Sequence, residues 1–410
     1  MKIAFAVQNY PPAFGGSEFL VKNLAENFTS RFGHKCVVLT SNAYSCDAFN
    51  SLDCPKMPAG ITAEAGVTVR RFNVNPEINE FVKKYLALSD KYNFPFNELA
   101  RMYKRGPRSL DMFKAIISEE CDALILTSFP LFHIGMGYIA KKLFDKKIII
   151  NGSFHINDEA YENELNRMIA RSADGYVCNS PAEYDYFTGY GVNSDKMIVI
   201  PPAVIDLPAD KLCKSDAKKI LNISSGKLIL YFGQIFKNKN IELLINGFCK
   251  FIENGGNATL IIAGGGFSGY YNILLQIIND FPDYIRSKII IKINIDDAEK
   301  NILYSAADVY VTPTISESLG LSMIEAWAYK IPVMANGIDQ LKYIINNGKN
   351  GILFEKNNPD RLADGLLEVL NNRGLSEVLA EEGHYEFMKK YDKNTNIEKY
   401  DEFVRKIINA

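Results

Sequence analysis

Short runs of β-branched residues alternate with helical patterns along this chain, and this alternation limits the fold more than any other feature of the sequence. The runs have the length of strands, and most of the stretches between them place apolar residues at helical spacing. Such alternation predicts a parallel sheet covered by helices on both faces. The predicted strands of the first half are residues 2–7, 36–41, 68–74, 123–128, 147–152, 175–180 and 197–200.

The alternation starts again after Pro201-Pro202 and a stretch rich in lysine and aspartate that ends near Ser225. The predicted strands of the second half are 227–233, 259–264, 288–293, 309–314, 332–336 and 351–354, and residues 359–410 are predicted to be helical. The chain is therefore predicted to be an α/β protein with two Rossmann-like, doubly wound domains. Because ligands bind beyond the carboxyl ends of such strands, two domains facing each other would enclose one cleft.

The composition is that of an ordinary globular protein. With 46 Lys and Arg against 48 Asp and Glu, the net charge is −2, so no basic footprint points to a nucleic-acid partner. No apolar run reaches the roughly 18–20 residues of a spanning helix, and the N-terminal segment lacks a signal-peptide cleavage site.

The cysteines indicate a reducing compartment. The seven cysteines show no C-x-x-C spacing, so we expect no disulfide framework and a cytoplasmic location. A metal held by His34 with Cys36, Cys46 and Cys54 would need a spacing that no common zinc pattern has, so we expect no metal site.

Two glycine-rich segments follow predicted strands. Gly15-Gly16 precedes a helical pattern, where backbone N–H groups could approach an anion; the alternative is a tight turn with Ser17 as the helix N-cap. Residues 264–269 contain a literal G-x-G-x-x-G, which is typical of dinucleotide binding. It follows the second strand of its domain, and the next acidic residue at a strand end is about 30 rather than about 20 residues away. We therefore interpret it as a glycine-rich loop near the predicted cleft.

Gly233 ends the first strand of the second domain, and Lys237 and Lys239 lie at the start of the following helical pattern. Lysine ammonium groups and helix N–H groups together suit phosphate oxygens. Lysines near a helix N-terminus oppose the helix dipole, so a purely structural role explains them poorly. The sequence predicts a phosphate site here.

The segment TISESLGLSMIEAWAYKIP, residues 314–332, carries the strongest signal. Glu317 precedes a predicted helix, and Glu325 lies inside it among apolar neighbours, where a carboxylate is costly to bury unless it is paired. Backbone N–H groups of residues 319–322, with a carboxylate on either side, would recognise phosphates next to a sugar. The alternative is a helix-capping carboxylate and a solvent-facing one.

These motifs resemble the retaining family-4 glycosyltransferases of GT-B fold. The resemblance rests on Gly15-Gly16-Ser17-Glu18, on Gly233 with Lys239, and on Glu317 and Glu325 in an E-x7-E spacing. Residues 173–183, ADGYVCNSPAE, are similar to the family's A-D-x-V-x-x-x-S-x-x-E, and Ile200-Pro201 resembles the start of its I-P-N-G segment. The similarity runs through nearly the whole chain.

The resemblance implies a GT-B architecture of two Rossmann-like domains facing across a cleft, with a helical C-terminal segment. Residues 1–205 would form the acceptor-side domain and residues 206–390 the nucleotide-sugar donor domain. Residues 391–410 would form a C-terminal helix that packs back toward the first domain.

The implied reaction moves a sugar, with retention, from a nucleotide-diphosphate sugar to a hydroxyl acceptor, in glycan, glycolipid or cell-surface polysaccharide synthesis. Glu325 would bind the ribose hydroxyls and Glu317 the donor sugar. Lys239 would neutralise the leaving diphosphate, and His155 would lie near the donor sugar. No cofactor and no metal is implied. The remaining implied donor-binding residues are Gly15, Gly16, Gly233, Gln234, Ser318, Leu319, Gly320 and Leu321.

Three departures from the family pattern keep alternatives open. Gln234 stands where arginine is usual, Pro202-Ala203 replaces Asn-Gly, and Lys342 stands where glutamate is common. The alternatives are a nucleotide-sugar epimerase of GT-B architecture and a non-catalytic nucleotide-sugar-binding subunit.

Residues 80–114 combine eight basic with four acidic residues and are rich in tyrosine and phenylalanine. Such a segment could lie on the inner face of an anionic membrane that holds a lipid-linked acceptor. The alternative is a solvated helix pair with buried aromatic residues.

Overall fold

The computed structural model describes residues 1–13, 15–78, 80–92, 97–156, 158, 161–202, 205, 211–223, 226–265 and 269–410. The chain forms two compact units, Met1–Val204 with Lys393–Ala410, and Ile205–Asp392. Three parts of the sequence predictions lie outside the described residues: most of the predicted domain boundary near residue 205, residues 266–268 of the glycine-rich loop, and residues 93–96 of the basic and aromatic segment.

The first unit contains an eight-stranded sheet in the order β3-β4-β2-β1-β5-β6-β7-β8. Its strands are β1 (Lys2–Val7), β2 (Lys35–Ser41), β3 (Gly60–Glu64), β4 (Val67–Phe72), β5 (Ala123–Thr127), β6 (Ile148–Asn151), β7 (Gly175–Cys178) and β8 (Met197–Val199). All neighbours pair in parallel except β3 and β4. The sequence missed β3, because this edge strand is mostly exposed and lacks an apolar pattern.

Helices cover both faces of this sheet. They are α1 (Gly16–Ser30), α2 (Glu80–Tyr92), α3 (Asn97–Lys104), α4 (Leu110–Ser118), α5 (Phe132–Phe144), α6 (Glu164–Ser172), α7 (Pro181–Gly189) and, at the end of the chain, α17 (Lys393–Asn409). Successive residues of β1 point into two different cores: Ile3 and Phe5 pack with α1 and α17, whereas Ala4 and Ala6 pack on the opposite face. Burial on both faces explains why the strand sequences are continuous apolar runs.

The second unit contains a six-stranded, fully parallel sheet in the order β11-β10-β9-β12-β13-β14. Its strands are β9 (Lys227–Phe232), β10 (Ala258–Gly264), β11 (Ile289–Ile293), β12 (Val309–Thr312), β13 (Val333–Asn336) and β14 (Ile352–Phe354). Its helices are α8 (Lys214–Ile220), α9 (Ile241–Glu253), α10 (Tyr270–Asn279), α11 (Asp283–Arg286), α12 (Asp297–Ala306), α13 (Leu321–Ala328), α14 (Asp339–Lys342), α15 (Pro359–Asn371) and α16 (Arg373–Lys390). This strand order is the doubly wound Rossmann order, so the predicted fold class is confirmed.

The last helix, α17, is part of the first unit. It buries Ile397, Tyr400, Phe403, Val404 and Ile407 against the sheet face that α1 also covers. On the same helix Asp401 accepts a hydrogen bond from buried His34 at 2.6 Å.

Candidate functional site

The carboxyl ends of β9 and β12 meet at one edge of the second unit's sheet, because the two strands are parallel neighbours. The loops that follow them are joined by hydrogen bonds: the Thr314 hydroxyl and the Ile315 N–H both donate to the carbonyl of Asn238, at 3.3 and 3.2 Å. This contact brings the residue after Asn238 next to the start of the E-x7-E segment.

Lys239 and Glu317 form an ion pair across these two loops. The Lys239 Nζ lies 2.6 Å from Glu317 Oε2, and both side chains are more than four-fifths buried. Lys239 ends a short 3-10 turn, Lys237–Lys239, that precedes α9. The two residues predicted from separate motifs to contact the diphosphate and the donor sugar therefore lie together.

Gly233 lies at the same edge, just beyond β9. A Cβ built on Gly233 would stand 3.8 Å from the hydroxyl of Ser322, which belongs to the first turn of α13. Gly264, at the end of neighbouring β10, has φ +147°, and a Cβ there would lie 1.7 Å from the carbonyl oxygen of Gly233. Only glycine fits at position 264. Gln234 is exposed at this edge, and its carbonyl accepts a hydrogen bond from Tyr231 at 2.7 Å.

Helix α13 begins directly after Gly320, which adopts a left-handed conformation with φ 82° and ψ 59°. This conformation suits glycine and turns the chain from the Ser318-Leu319 segment into the helix. Its N-cap residue, Gly320, has no side chain to cap this helix start. The N–H groups of its first turn have no partner within the helix and carry the positive end of its dipole.

Glu325 has two partners that the sequence did not indicate. Lys300 Nζ donates to its Oε1 at 2.5 Å, and the Tyr304 hydroxyl donates to its Oε2 at 3.0 Å. Lys300 and Tyr304 are four residues apart on α12 and therefore face the same side of that helix. That spacing was the available signal, but the sequence does not say that α12 packs beside α13.

Both carboxylates of the E-x7-E segment act on Tyr310, whose hydroxyl donates to the carbonyl of Phe232 at 3.1 Å. Burial raises the pKa of Tyr310, and the negative charges of Glu317 and Glu325 raise it further. Glu317, Glu325 and Lys239 thus belong to one cluster, which also includes the N-terminus of α13.

The predicted residues Gly15 and Gly16 lie in the first unit. Helix α1 begins at Gly16 with Gly15 as its N-cap, so the alternative that Ser17 caps this helix is wrong. The hydroxyl of Ser17 instead accepts a hydrogen bond from Ser128 at 2.6 Å. A Cβ on Gly15 would lie 2.2 Å from Oε2 of Glu18, so glycine is needed here to make room for that carboxyl group.

Glu18 is buried and accepts a hydrogen bond from Gln8 at 2.8 Å. Burial raises the pKa of Glu18 from 4.5 to about 7, against the hydrogen bonds from its own backbone and Gln8, which lower it. The folded state therefore holds this proton more tightly than the unfolded state does. The resulting stabilisation is complete below about pH 4.5 and is lost as the pH rises to about 7.

We expect Glu18→Gln, which cannot ionise, to be as stable as the wild type at pH 4.5 and more stable above pH 7. The difference in the free energy of unfolding should approach about 3 kcal/mol, because each tenfold change in proton affinity corresponds to about 1.4 kcal/mol. Urea unfolding from pH 4.5 to 8 measures it, with Glu26→Gln on the same helix as the control. A stability difference that does not change with pH would contradict the assignment.

His155 follows β6 in the first unit and is half-buried, with its ring centroid 4.9 Å from that of Tyr161. His155 and the Gly15-Gly16 pair thus belong to the first unit, whereas the remaining predicted site residues belong to the second.

Among the described residues no three His, Cys, Asp or Glu side chains are grouped so that they could hold a metal ion. None of the helices that the structure describes is long and apolar enough to cross a membrane.

Two protein-family models match the chain in succession. The family described as Glycosyltransferase Family 4 matches residues 14–206, and the family described as Glycosyl transferases group 1 matches residues 214–385. The chain belongs to the GT-B glycosyltransferases. In this glycosyltransferase the group 1 match contains the whole cluster of Lys239, Glu317 and Glu325, and the Family 4 match contains His155.

Curated relatives agree with this family. The glycosyltransferase is 34% identical over 176 residues to an uncharacterized glycosyltransferase of Methanocaldococcus jannaschii, a match that covers 40% of this chain and 41% of that protein. It is 27% identical over 316 residues to the alpha-monoglucosyldiacylglycerol synthase of Streptococcus pneumoniae, which covers 70% of this chain and 68% of that protein. The match thus spans less than half of the archaeal relative.

Solved structures share the fold of this glycosyltransferase. The Anabaena protein HepE, in complex with UDP and glucose, has a TM-score of 0.73 at 16% identity, over 99% of this chain and 100% of that one. Sucrose-phosphate synthase from Thermosynechococcus elongatus has a TM-score of 0.73 at 17% identity, over 100% and 99% of the two chains.

Proposed function

We propose that this protein transfers a sugar, with retention and without a metal, from a nucleotide-diphosphate sugar to a hydroxyl acceptor. The observation that carries the proposal is the single cluster formed by Lys239, Glu317, Glu325 and the N-terminus of α13. A lysine and a helix N-terminus suit a diphosphate, and two carboxylates beside them suit the hydroxyls of two sugars.

In the proposed reaction, Lys239 leaves Glu317 and binds the diphosphate of the donor. Negative charge grows on the diphosphate as the glycosidic bond breaks, and the ammonium group and the N–H groups after Gly320 stabilise it. These two donors supply the positive charge that a metal ion supplies in other transferases. The proposal therefore includes no metal and no cofactor.

The released Glu317 accepts hydrogen bonds from the donor sugar, and His155 in the first unit is assigned to the same sugar. Glu325 accepts hydrogen bonds from the ribose hydroxyls. Lys300 and Tyr304 already hold one lone pair on each of its oxygens, which fixes the carboxylate and leaves further lone pairs for the ribose. Gly233 and Gln234 lie at this edge of the sheet, where they would line the donor.

Incubation with a panel of nucleotide sugars, in EDTA and with or without acceptors, tests the proposed function. The names of the similar proteins suggest UDP-glucose as a donor and diacylglycerol among the acceptors. Acceptor-dependent release of nucleotide supports the proposal. An isomerised donor would indicate the epimerase instead, and binding without turnover would indicate the non-catalytic subunit.

The second part of the proposal is contact with the inner face of an anionic membrane through residues 80–114. Three apolar residues of α2 point into solvent: Phe81, Leu88 and Tyr92 are 74%, 47% and 57% exposed. Their spacing of seven and four residues places them on one side of the helix. Lys84 and Lys91 are also exposed on α2 and would attract anionic lipids. The alternative, a solvated helix pair with buried aromatic residues, fits the half-buried Tyr85 and Tyr103 better than the exposed Phe81 and Tyr92.

We expect the protein to co-sediment with vesicles that contain phosphatidylglycerol and to bind neutral vesicles much more weakly. The double variant Phe81→Glu with Leu88→Glu should lose this binding, because it places charge on the apolar stripe. Val378→Glu, at a similarly exposed apolar position of α16, is the matched control and should bind as the wild type does. Unchanged sedimentation of the double variant would remove the membrane contact from the proposal.

A further inference from the structure

Glu183, on α7, is a buried carboxylate that lies against the segment leading to His155. The Asn179 N–H donates to its Oε2 and the Tyr176 hydroxyl to its Oε1, each at 2.8 Å. The backbone of Ser153 and Phe154 also faces this carboxylate and lowers its pKa. One backbone N–H group and one hydroxyl therefore bind a side chain that is only 1% exposed, and the segment before His155 lies against it.

The main chain approaches this carboxylate closely at Gly152. A Cβ on Gly152 would lie 2.0 Å from Glu183 Oε1, so any other residue would push the segment away. The next residue, Ser153, has φ +85°, which is unfavourable for a residue with a Cβ. Its hydroxyl accepts a hydrogen bond from the Asn179 side chain at 2.9 Å. The segment is thus held in a conformation that it would not keep without these contacts.

Phe154 anchors the segment in the core of the first unit. It is 1% exposed, and its ring packs against those of Tyr186 and Phe187, with centroid distances of 5.0 and 4.9 Å. His155 follows at once and is half-buried. The backbone of residues 152–154 therefore determines where His155 is placed.

We propose that Glu183 is a positioning residue for His155: by accepting the N–H of Asn179 and packing against the backbone at Gly152, it ties the end of β6 to the end of β7 and sets the placement of the imidazole. The effect on catalysis rests on the proposed function, in which His155 acts at the donor sugar. The placement itself does not depend on that function.

The charge of Glu183 strengthens these hydrogen bonds, because an ionised acceptor binds N–H groups more tightly than a neutral one does. Burial raises the pKa of Glu183 to about 7, against its contacts with Asn179, Tyr176 and the backbone of residues 153–154, which lower it. The titratable groups that face it are Tyr176 and Cys178 on β7 and Tyr400 on α17, and burial raises the pKa of each well above its ordinary value. Asp185, on its own helix, is exposed, and its charge raises the pKa of Cys178. Among Glu183 and the groups that face it, Glu183 is the one whose pKa is raised into the neutral range.

The test compares wild type, Glu183→Gln and Asp401→Asn. Asp401 is a buried carboxylate that pairs with His34 and Arg405, so its variant controls for the loss of a buried charge. In Glu183→Gln we expect hydrogen exchange of the Ser153 and Phe154 amides to accelerate at least tenfold. We expect kcat of this variant to fall at least tenfold, with donor KM within about threefold of the wild-type value. The wild type should lose kcat below pH 7 as Glu183 is protonated, and the variant should not. Asp401→Asn should change none of these.

A double-mutant cycle with His155→Ala decides whether Glu183 acts through His155. If it does, Glu183→Gln causes no further loss of kcat in the His155→Ala background. An equal loss in both backgrounds would overturn the proposal, and so would unchanged amide exchange in Glu183→Gln. Amide exchange needs no turnover, so it still decides the placement if the protein proves not to be a transferase. If Glu183→Gln does not fold, exchange in the wild type replaces it: protection of the two amides should fall as the pH drops below 7, and constant protection would overturn the proposal.

Discussion

Replacement of Lys239 by methionine should lower kcat roughly 100- to 1000-fold, the range observed when one preorganised donor to a developing anion is removed. Lys239 is paired with Glu317 at 2.6 Å, which holds the ammonium group beside the proposed diphosphate site. Its interaction with the diphosphate strengthens as negative charge develops there. The loss should therefore appear mainly in kcat and less in donor KM.

Lys250→Met is the matched control for this variant. Lys250 lies on α9, the helix that follows Lys239, in an exposed pair with Asp360. We expect its steady-state kinetics to equal those of the wild type. The thermal unfolding temperatures of both variants should equal that of the wild type, which would show that a lower kcat comes from the lost charge and not from a lost fold. Donor binding and turnover of Lys239→Met at wild-type levels would show that the electrostatic account of this site is wrong.

The second large effect is expected from Glu325→Gln, which should raise donor KM roughly 10- to 100-fold. A hydrogen bond to a charged group contributes about 1.5–3 kcal/mol, and each 1.4 kcal/mol is a factor of ten in affinity. The ribose is not part of the bond that breaks, so ground state and transition state lose the same interaction and kcat should change only a few-fold. Steady-state kinetics with saturating acceptor measures both constants.

A donor without the ribose 2′- and 3′-hydroxyls separates ribose recognition from other effects of this variant. Glu325→Gln also removes the negative partner of Lys300, whose Nζ lies 2.5 Å from the carboxylate in the wild type. Wild type and variant should bind the dideoxy donor equally, because it lacks the groups that Glu325 is proposed to hold. A loss of affinity that is the same for both donors would show that Glu325 acts on the structure of the site and not on the ribose.

The sequence was sufficient for the fold because its strands are buried on both faces. The predicted strand at residues 2–7 is observed as β1, and the predicted strand at 227–233 is observed as β9, one residue shorter. The exposed edge strand β3 has no such pattern and was missed. The fully parallel order of the second sheet follows from the strand and helix alternation in that half of the chain.

The candidate site was predictable where the motif itself fixes the local backbone. Gly320 supplies the left-handed turn before α13, and Glu317 and Glu325 stand on either side of that helix start. Their lysine partners were not predictable as partners, because Lys239 is 78 residues from Glu317 and Lys300 is 25 residues from Glu325. Such contacts depend on which helices pack together, and no local pattern contains that information.

Buried carboxyl groups were the other feature that the sequence concealed. Gly15 was interpreted as a route for backbone N–H groups to an anion, and the structure shows in addition that it makes room for Glu18. Gly152 does the same for Glu183. In both cases a glycine is explained by a glutamate elsewhere in the chain, and only the packed structure shows which one.

The anomeric configuration of the product tests the central claim most directly. The enzyme would be incubated in EDTA with the nucleotide sugar that shows acceptor-dependent turnover, and the anomeric proton coupling of the new glycosidic bond would be measured by NMR before and after complete conversion. We predict a product with the same anomeric configuration as the donor, formed at an undiminished rate without free metal. A product of inverted configuration, or turnover that EDTA abolishes and a divalent cation restores, would contradict it.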